Sequence, residues 1–262
     1  MDMTVRPGKS LRLGLAAALA LCAAAILATG PANAGPPFRT DDPEPVDYQH
    51  WEIYGFSTAT QVKDDFGGIA FGVEVNYGAA PNLQLHMIVP LAFDDPKGAG
   101  SQVGLGDVEL GAKYRFVEED ENGWRPQIGV FPLVEIPTGD AHRGLGGGFT
   151  RIFLPVWLQK SFGEWTTYGG AGYWINPGRN NKNSWFFGWL LQRQVTEKLT
   201  LGGELFHETA DAAGAQDSTG FNLGGFYDFT DHHHLLFSAG RNFQHANDTN
   251  QLSYYVGYQY TF

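Results

Sequence analysis

Leu252-Ser-Tyr-Tyr-Val-Gly-Tyr-Gln-Tyr-Thr-Phe262 closes the chain. Every second position, Leu252, Tyr254, Val256, Tyr258, Tyr260 and Phe262, is apolar or aromatic. The residues between them, Ser253, Tyr255, Gly257, Gln259 and Thr261, are mostly small or polar. Alternation with a period of two puts one set on each face of a strand, one greasy and one wet. A last strand of this kind, ending on an aromatic ring, is the expected finish of a bacterial outer-membrane barrel. The barrel-assembly machinery reads such an end, and Phe262 is the residue that would present it.

The other end points to the same compartment. Arg6, Lys9 and Arg12 precede an apolar run from Leu13 to Ala28, and Ala32-Asn-Ala34 offers small residues for a peptidase cut before Gly35. Residues 1–34 are therefore expected to be a cleaved secretory signal. The single cysteine, Cys22, lies inside it, so the remainder has no thiol chemistry. The whole chain carries 17 Lys+Arg against 28 Asp+Glu, a net charge of −11. The leader holds more cations than acids, so the rest is more acidic still, which argues against a nucleic-acid partner. No later stretch approaches the roughly 18 continuous apolar residues of a membrane-crossing helix.

Residues 35–47 are rich in proline and acid, Gly-Pro-Pro-Phe-Arg-Thr-Asp-Asp-Pro-Glu-Pro-Val-Asp. Proline lacks the donor that a helix interior or central strand needs, so this stretch is expected to be an extended periplasmic lead-in. A small plug folded into a lumen is the rival reading. Residues 48–262 then divide into strand-like segments at 48–62, 68–79, 83–93, 103–117, 124–136, 149–162, 165–176, 184–195, 199–208, 218–229, 233–242 and 250–262. In the second, Ile69, Phe71, Val73, Val75 and Tyr77 alternate with Ala70, Gly72, Glu74, Asn76 and Gly78.

The connections alternate as well. Tight turns at Ala80-Pro-Asn82, Gly163-Glu164, Thr196-Glu-Lys198 and Thr230-Asp-His232 are interleaved with longer loops such as Pro137–Gly148 and Thr209–Asp217. Short turns on one side and long loops on the other are the pattern of outer-membrane barrels. In hydrocarbon every backbone donor and acceptor must be paired within the protein, so a spanning sheet has to close. The expected fold is all-β, a 12-stranded antiparallel transmembrane barrel. Aromatic residues near segment ends, Trp51, Tyr77, Phe93, Tyr114, Phe116, Trp124, Phe162, Trp165, Trp174, Tyr227, Phe229, Tyr260 and Phe262, are expected to form two girdles at the membrane boundaries.

The inward parity of the strands names a candidate lumen, and among its charged members Glu74, Glu109, Lys113, Arg115, Arg125, Glu135, Arg151 and Glu204 are the permeation candidates. Acids and bases both occur, so mutual pairing is one reading and a charge-lined permeation path the other. The two are compatible. No catalytic residues are assigned. The histidines at 50, 86, 142, 207 and 245 lack a serine two positions on, and there is no Gly-x-Ser-x-Gly elbow. His232-His-His234 cannot converge on one metal from a regular strand, because adjacent residues point to opposite faces. No metal or cofactor is expected.

Three stretches resemble an outer-membrane family named for the meta-cleavage pathway of phenol degradation. They are Pro37-Phe-Arg-Thr-Asp-Asp-Pro-Glu-Pro-Val-Asp47 with His50-Trp-Glu-Ile-Tyr54, Gly104-Leu-Gly-Asp-Val-Glu-Leu-Gly-Ala-Lys-Tyr-Arg-Phe116, and Glu135-Ile-Pro-Thr-Gly-Asp140 with Gly144-Leu-Gly146. The resemblance implies an outer-membrane barrel for passage of small organic molecules, aromatic ones among them, and carries over no catalytic residue. The expectation is thus a passive channel in the bacterial outer membrane, in contact with its lipid. Its rivals are a plugged structural or interaction barrel and, further off, a lipid-modifying enzyme. The transported solute and the oligomeric state are left open.

Overall fold

The computed structural model describes residues 36–120 and 123–262. The expected signal segment, 1–34, lies outside the described residues. Fourteen strands form one sheet: β1 (Trp51–Gln61), β2 (Asp65–Ala80), β3 (Leu83–Pro96), β4 (Gln102–Leu105), β5 (Val108–Val117), β6 (Gln127–Val130), β7 (Leu133–Ile136), β8 (Arg151–Phe162), β9 (Trp165–Ile175), β10 (Ser184–Thr196), β11 (Leu199–Glu208), β12 (Ser218–Thr230), β13 (His233–Gln244) and β14 (Leu252–Thr261). Each pairs antiparallel with its neighbours.

The strands make a closed barrel of 12 spanning segments, because two segments are interrupted. The fourth is β4 and β5, broken at Gly106-Asp107, and the fifth is β6 and β7, broken at Phe131-Pro132. Pro132 has no N–H to give the ladder, so pairing stops there. Its carbonyl still accepts from Ala112 N at 3.2 Å. At the first break the Asp107 carboxylate leaves the ladder to accept from Gly139 N (2.9 Å) and Gly147 N (2.7 Å), tying the long 137–148 loop to the rim.

Closure joins the two ends of the barrel chain. β1 runs along β14 from Glu52↔Thr261 to Gln61↔Leu252. The final residue seals the seam, Trp51 N donating to Phe262 O at 2.8 Å and Phe262 N to Trp51 O at 3.1 Å. The alternation that predicted β14 holds: Leu252, Tyr254, Val256, Tyr258 and Tyr260 are exposed on the outside, while Gly257 and Gln259 are buried inside. The same parity puts Leu85, Leu91, Leu154, Trp189, Leu205 and Leu223 on the outer wall.

Four turns, β2–β3, β8–β9, β10–β11 and β12–β13, are tight, and the long loops gather at the opposite rim. The expected girdle residues do not divide between the two rims. Apart from Phe93 and Trp174, they lie at the short-turn rim, where Trp51, Tyr114, Phe116, Phe162 and Trp165 are all exposed. The long-loop rim carries other rings, Trp185, Phe187 and Phe243. Trp174 points inward and stacks on buried Phe153, with centroids 4.7 Å apart.

Candidate functional site: the lumen and the strap that crosses it

The residues expected to form a periplasmic lead-in lie inside the barrel. Thr40, Asp42, Pro43 and Val46 are buried, and the described part of the stretch, 36–47, bonds to the inner wall on both sides. Near its start, the Pro37 carbonyl accepts from Ser238 Oγ on β13. Arg39 N and Thr40 N then donate to the two carboxylate oxygens of Glu204 on β11, at 2.9 and 2.7 Å. Halfway round the ring, Lys113 Nζ on β5 reaches Asp41 Oδ1 at 3.0 Å and Asp42 Oδ2 at 3.4 Å. Glu44 Oε2 accepts from Gln127 Nε2 (3.2 Å) and Gln159 Nε2 (2.9 Å), and Val46 N donates to Gln84 Oε1 at 2.9 Å. Asp47 leaves at the short-turn rim, beside Gly78.

This corrects the lead-in reading in favour of its rival, and the physical reason is polar satisfaction. A proline-rich segment cannot join a ladder, so its backbone donors and side-chain acceptors need partners elsewhere. The inner wall provides Glu204, Lys113 and three glutamine amides. Glycines make the space. A Cβ on Gly188 would lie 2.1 Å from Thr40 Oγ1, one on Gly129 3.0 Å from Pro43 Cβ, and one on Gly78 1.8 Å from Asp47 O. These three inward glycines therefore serve as seats for the strap.

The eight charged candidates divide accordingly. Lys113 and Glu204 hold the strap rather than each other. Glu74 and Glu109 flank His86, whose Nε2 is 3.0 Å from Glu109 Oε1 and whose Nδ1 is 3.6 Å from Glu74 Oε1. Arg151 pairs with Glu135 at 3.5 Å near the long-loop rim. Arg115 is fixed near the other rim, its Nε and Nη2 donating to Asn82 Oδ1 and its Nη1 to Gln127 Oε1. Arg125 falls outside the group. It precedes β6, is exposed, and donates from Nε to the Glu118 carbonyl at 3.1 Å. The expected fifth segment began three residues too early there.

Burial raises the pKa of two of the strap's carboxyls, Asp42 and Glu44. Asp42 stands well above the usual carboxylate range because it is desolvated, with Lys113 opposing the rise. Glu44 is raised for the same reason, opposed by the amides of Gln127 and Gln159.

The inner face also carries apolar rings, which its expected polar parity does not reveal. Phe131, Phe153, Trp157, Phe186 and Phe206 form one buried cluster, and Tyr54, Phe56, Phe226 and Leu236 another. A signal was present in Trp185-Phe-Phe-Gly-Trp-Leu-Leu191, which is apolar at both parities and so implies burial of the inner face as well. At the long-loop mouth a cavity of about 650 Å³ is lined by Ile88, Asp94, Glu109, Glu135, Leu145 and Arg151, among others. Its Arg151 lies over the Trp174 ring, 4.5 Å from the centroid. Among the described residues no cluster of three or more histidine, cysteine or acidic side chains is placed to hold a metal.

A family model described as "Putative MetA-pathway of phenol degradation" matches residues 47–260. A crystal structure of an outer membrane channel from Pseudomonas putida F1 is similar at a TM-score of 0.67 and 16% identity, over 84% of this chain and 99% of that one. The KdgM porin follows at 0.55 and 12%, over 80% and 99%. The NanC porin stands at 0.53 and 10%, over 80% and 98%. No curated protein matches the sequence. At these identities the likeness establishes the fold.

Proposed function

Because the chain belongs to the phenol-degradation family matched over residues 47–260, we propose that it is a passive outer-membrane channel for small organic molecules, aromatic ones among them. The observation that carries this reading is the mouth cavity of about 650 Å³ that opens onto Arg151, which covers the first of a set of lumenal rings. A twelve-stranded barrel lies between the filled eight-stranded barrels and the open sixteen-stranded ones, so a narrow path is sterically available. In this reading Glu74, Glu109, Glu135 and Arg151 border the path, and Lys113 and Glu204 control how far the strap obstructs it. The reading assigns no reaction and no cofactor to the chain.

The strap favours a second reading, a plugged structural barrel. Planar-bilayer conductance and liposome swelling with phenol separate the two. A channel gives discrete current steps and phenol-dependent swelling. A barrel that stays silent in both, even with residues 36–46 removed, is the structural one.

Placement in the outer membrane rests on the apolar outer wall and on the last strand. Phe262 is half exposed at the seam rim and stacks on Tyr260 at 5.2 Å. If the assembly machinery reads this ring, Phe262→Ala lowers the amount of assembled barrel in cells several-fold. Refolding of the same variant into detergent stays near the wild-type yield, because its backbone bonds to Trp51 remain. Equal loss in both assays would assign Phe262 a role in the fold alone.

A further inference from the structure

Four inward rings stand in a row across four adjacent strands of the barrel, β8 to β11. Trp174 stacks on Phe153 at 4.7 Å, Phe153 meets Phe186 edge-on at 6.5 Å, and Phe186 stacks on Phe206 at 6.4 Å. The row has a guanidinium at each end. Arg151 covers Trp174, and Arg39 of the strap covers Phe206 at 4.6 Å and Phe186 at 5.6 Å. Arg39 is half exposed and also paired with Glu208. Beside the row, Trp157 is 1% exposed, yet its indole Nε1–H has no hydrogen-bond partner among the described residues. Its ring lies 6.2 Å from that of Phe186 and 6.4 Å from that of Phe153.

A buried donor left unpaired costs about 1–3 kcal/mol, so a ligand that supplies an acceptor there gains affinity. A guanidinium is planar and rests on ring faces much as an aromatic ring does. Carboxylates crowd both ends of the row, Glu135 beside Arg151 and Glu208 beside Arg39, and they disfavour an anionic ligand.

The geometry points to a binding track for uncharged hydroxylated aromatics along Trp174, Phe153, Phe186 and Phe206, with Trp157 donating to the ligand oxygen and Arg39 as the built-in competitor for the last two rings. The inference rests on the reading of the barrel as a solute channel and adds the determinants of its selectivity. A solute ring reaching Phe186 and Phe206 displaces Arg39, and with it loosens the start of the strap.

The test uses the full chain in detergent with phenol as ligand, its saturable binding measured by equilibrium dialysis. Toluene, which lacks the oxygen, and cyclohexanol, whose ring is not aromatic, are the controls. Arg39→Ala is expected to bind phenol about three- to tenfold more tightly, since it removes a competitor of ordinary cation–π strength. Phe206→Ala weakens binding of both aromatics. Trp157→Phe abolishes the preference for phenol over toluene while leaving toluene bound. Weaker or unchanged phenol binding in Arg39→Ala overturns the competition, and a preference that survives Trp157→Phe overturns the donor. Heat-modifiable migration on gels confirms that each variant is folded. Conductance of the same preparations keeps the two readings apart: saturable binding without passage sinks the channel, and passage indifferent to Arg39 and Trp157 sinks the track.

Discussion

Deletion of residues 36–46 is expected to raise single-channel conductance several-fold while the barrel stays folded. The strap contributes no strand to the sheet, and the seam between β1 and β14 closes without it. Its removal takes away a segment that spans from Glu204 and Ser238 on one side to Lys113, Gln127 and Gln84 on the other. The deletion leaves Lys113 and Glu204 inside without their partners, which is unfavourable in a dry interior. The vacated lumen admits water, and the charges then hydrate. The expected signature is therefore a larger, noisier conductance with unchanged β-sheet content by circular dichroism. A deletion variant with wild-type conductance would show that the current does not run past the strap.

Lys113→Met is expected to undock the strap without shortening the chain. Lys113 is almost fully buried and is the cation facing Asp41 and Asp42. Removing one partner of a buried ion pair costs about 3–5 kcal/mol, which moves the docked-to-undocked ratio by a factor of roughly 100 or more. At pH 8 the variant should conduct nearly as well as the deletion.

The same variant exposes a dependence on pH. Burial raises the Asp42 carboxyl, facing Lys113 from β5 and Asp41 and Glu44 from the strap itself. It also raises Glu44, facing Gln127, Gln159 and Arg115 from the wall. Both groups bind protons more tightly docked than free, so docking takes up protons. The stabilisation this provides is fully present below the ordinary carboxylate range and is lost as pH rises through the raised values. Wild-type conductance should therefore be lower at pH 5 than at pH 8, and the deletion variant should lack that component. In Lys113→Met the charge that opposed the rise at Asp42 is gone, so the window moves upward and acid reseals the channel. Conductance of Lys113→Met that is high and flat from pH 5 to pH 8 would overturn this account.

The legible part of this protein was the outer wall. Strand positions and parity came from alternation, and lipid selects that alternation along each strand independently of its neighbours. The two interrupted segments were less legible. Pro132 marks its break in the sequence, but the break at Gly106-Asp107 depends on a carboxylate finding loop amides more than thirty residues away. Arg125 was misplaced because a connector and a strand edge carry similar residues.

The lumen was harder to read for a related reason. Its charges could be identified one by one, yet Lys113 and Glu204 find their partners on a segment near the start of the chain. No periodicity links Asp42 to Lys113. The rings at Phe153, Phe186 and Phe206 occupy positions where alternation predicts water, because the strap and its neighbours make that space dry. The sequence by itself determined that a closed, lipid-facing cylinder forms, since that outcome follows from the chemistry of successive residues and the need to satisfy every backbone group. What fills the cylinder, and whether it is sealed or passable, was decided only by the tertiary structure, because inside a barrel any strand can face any other and contacts are set by distance in space.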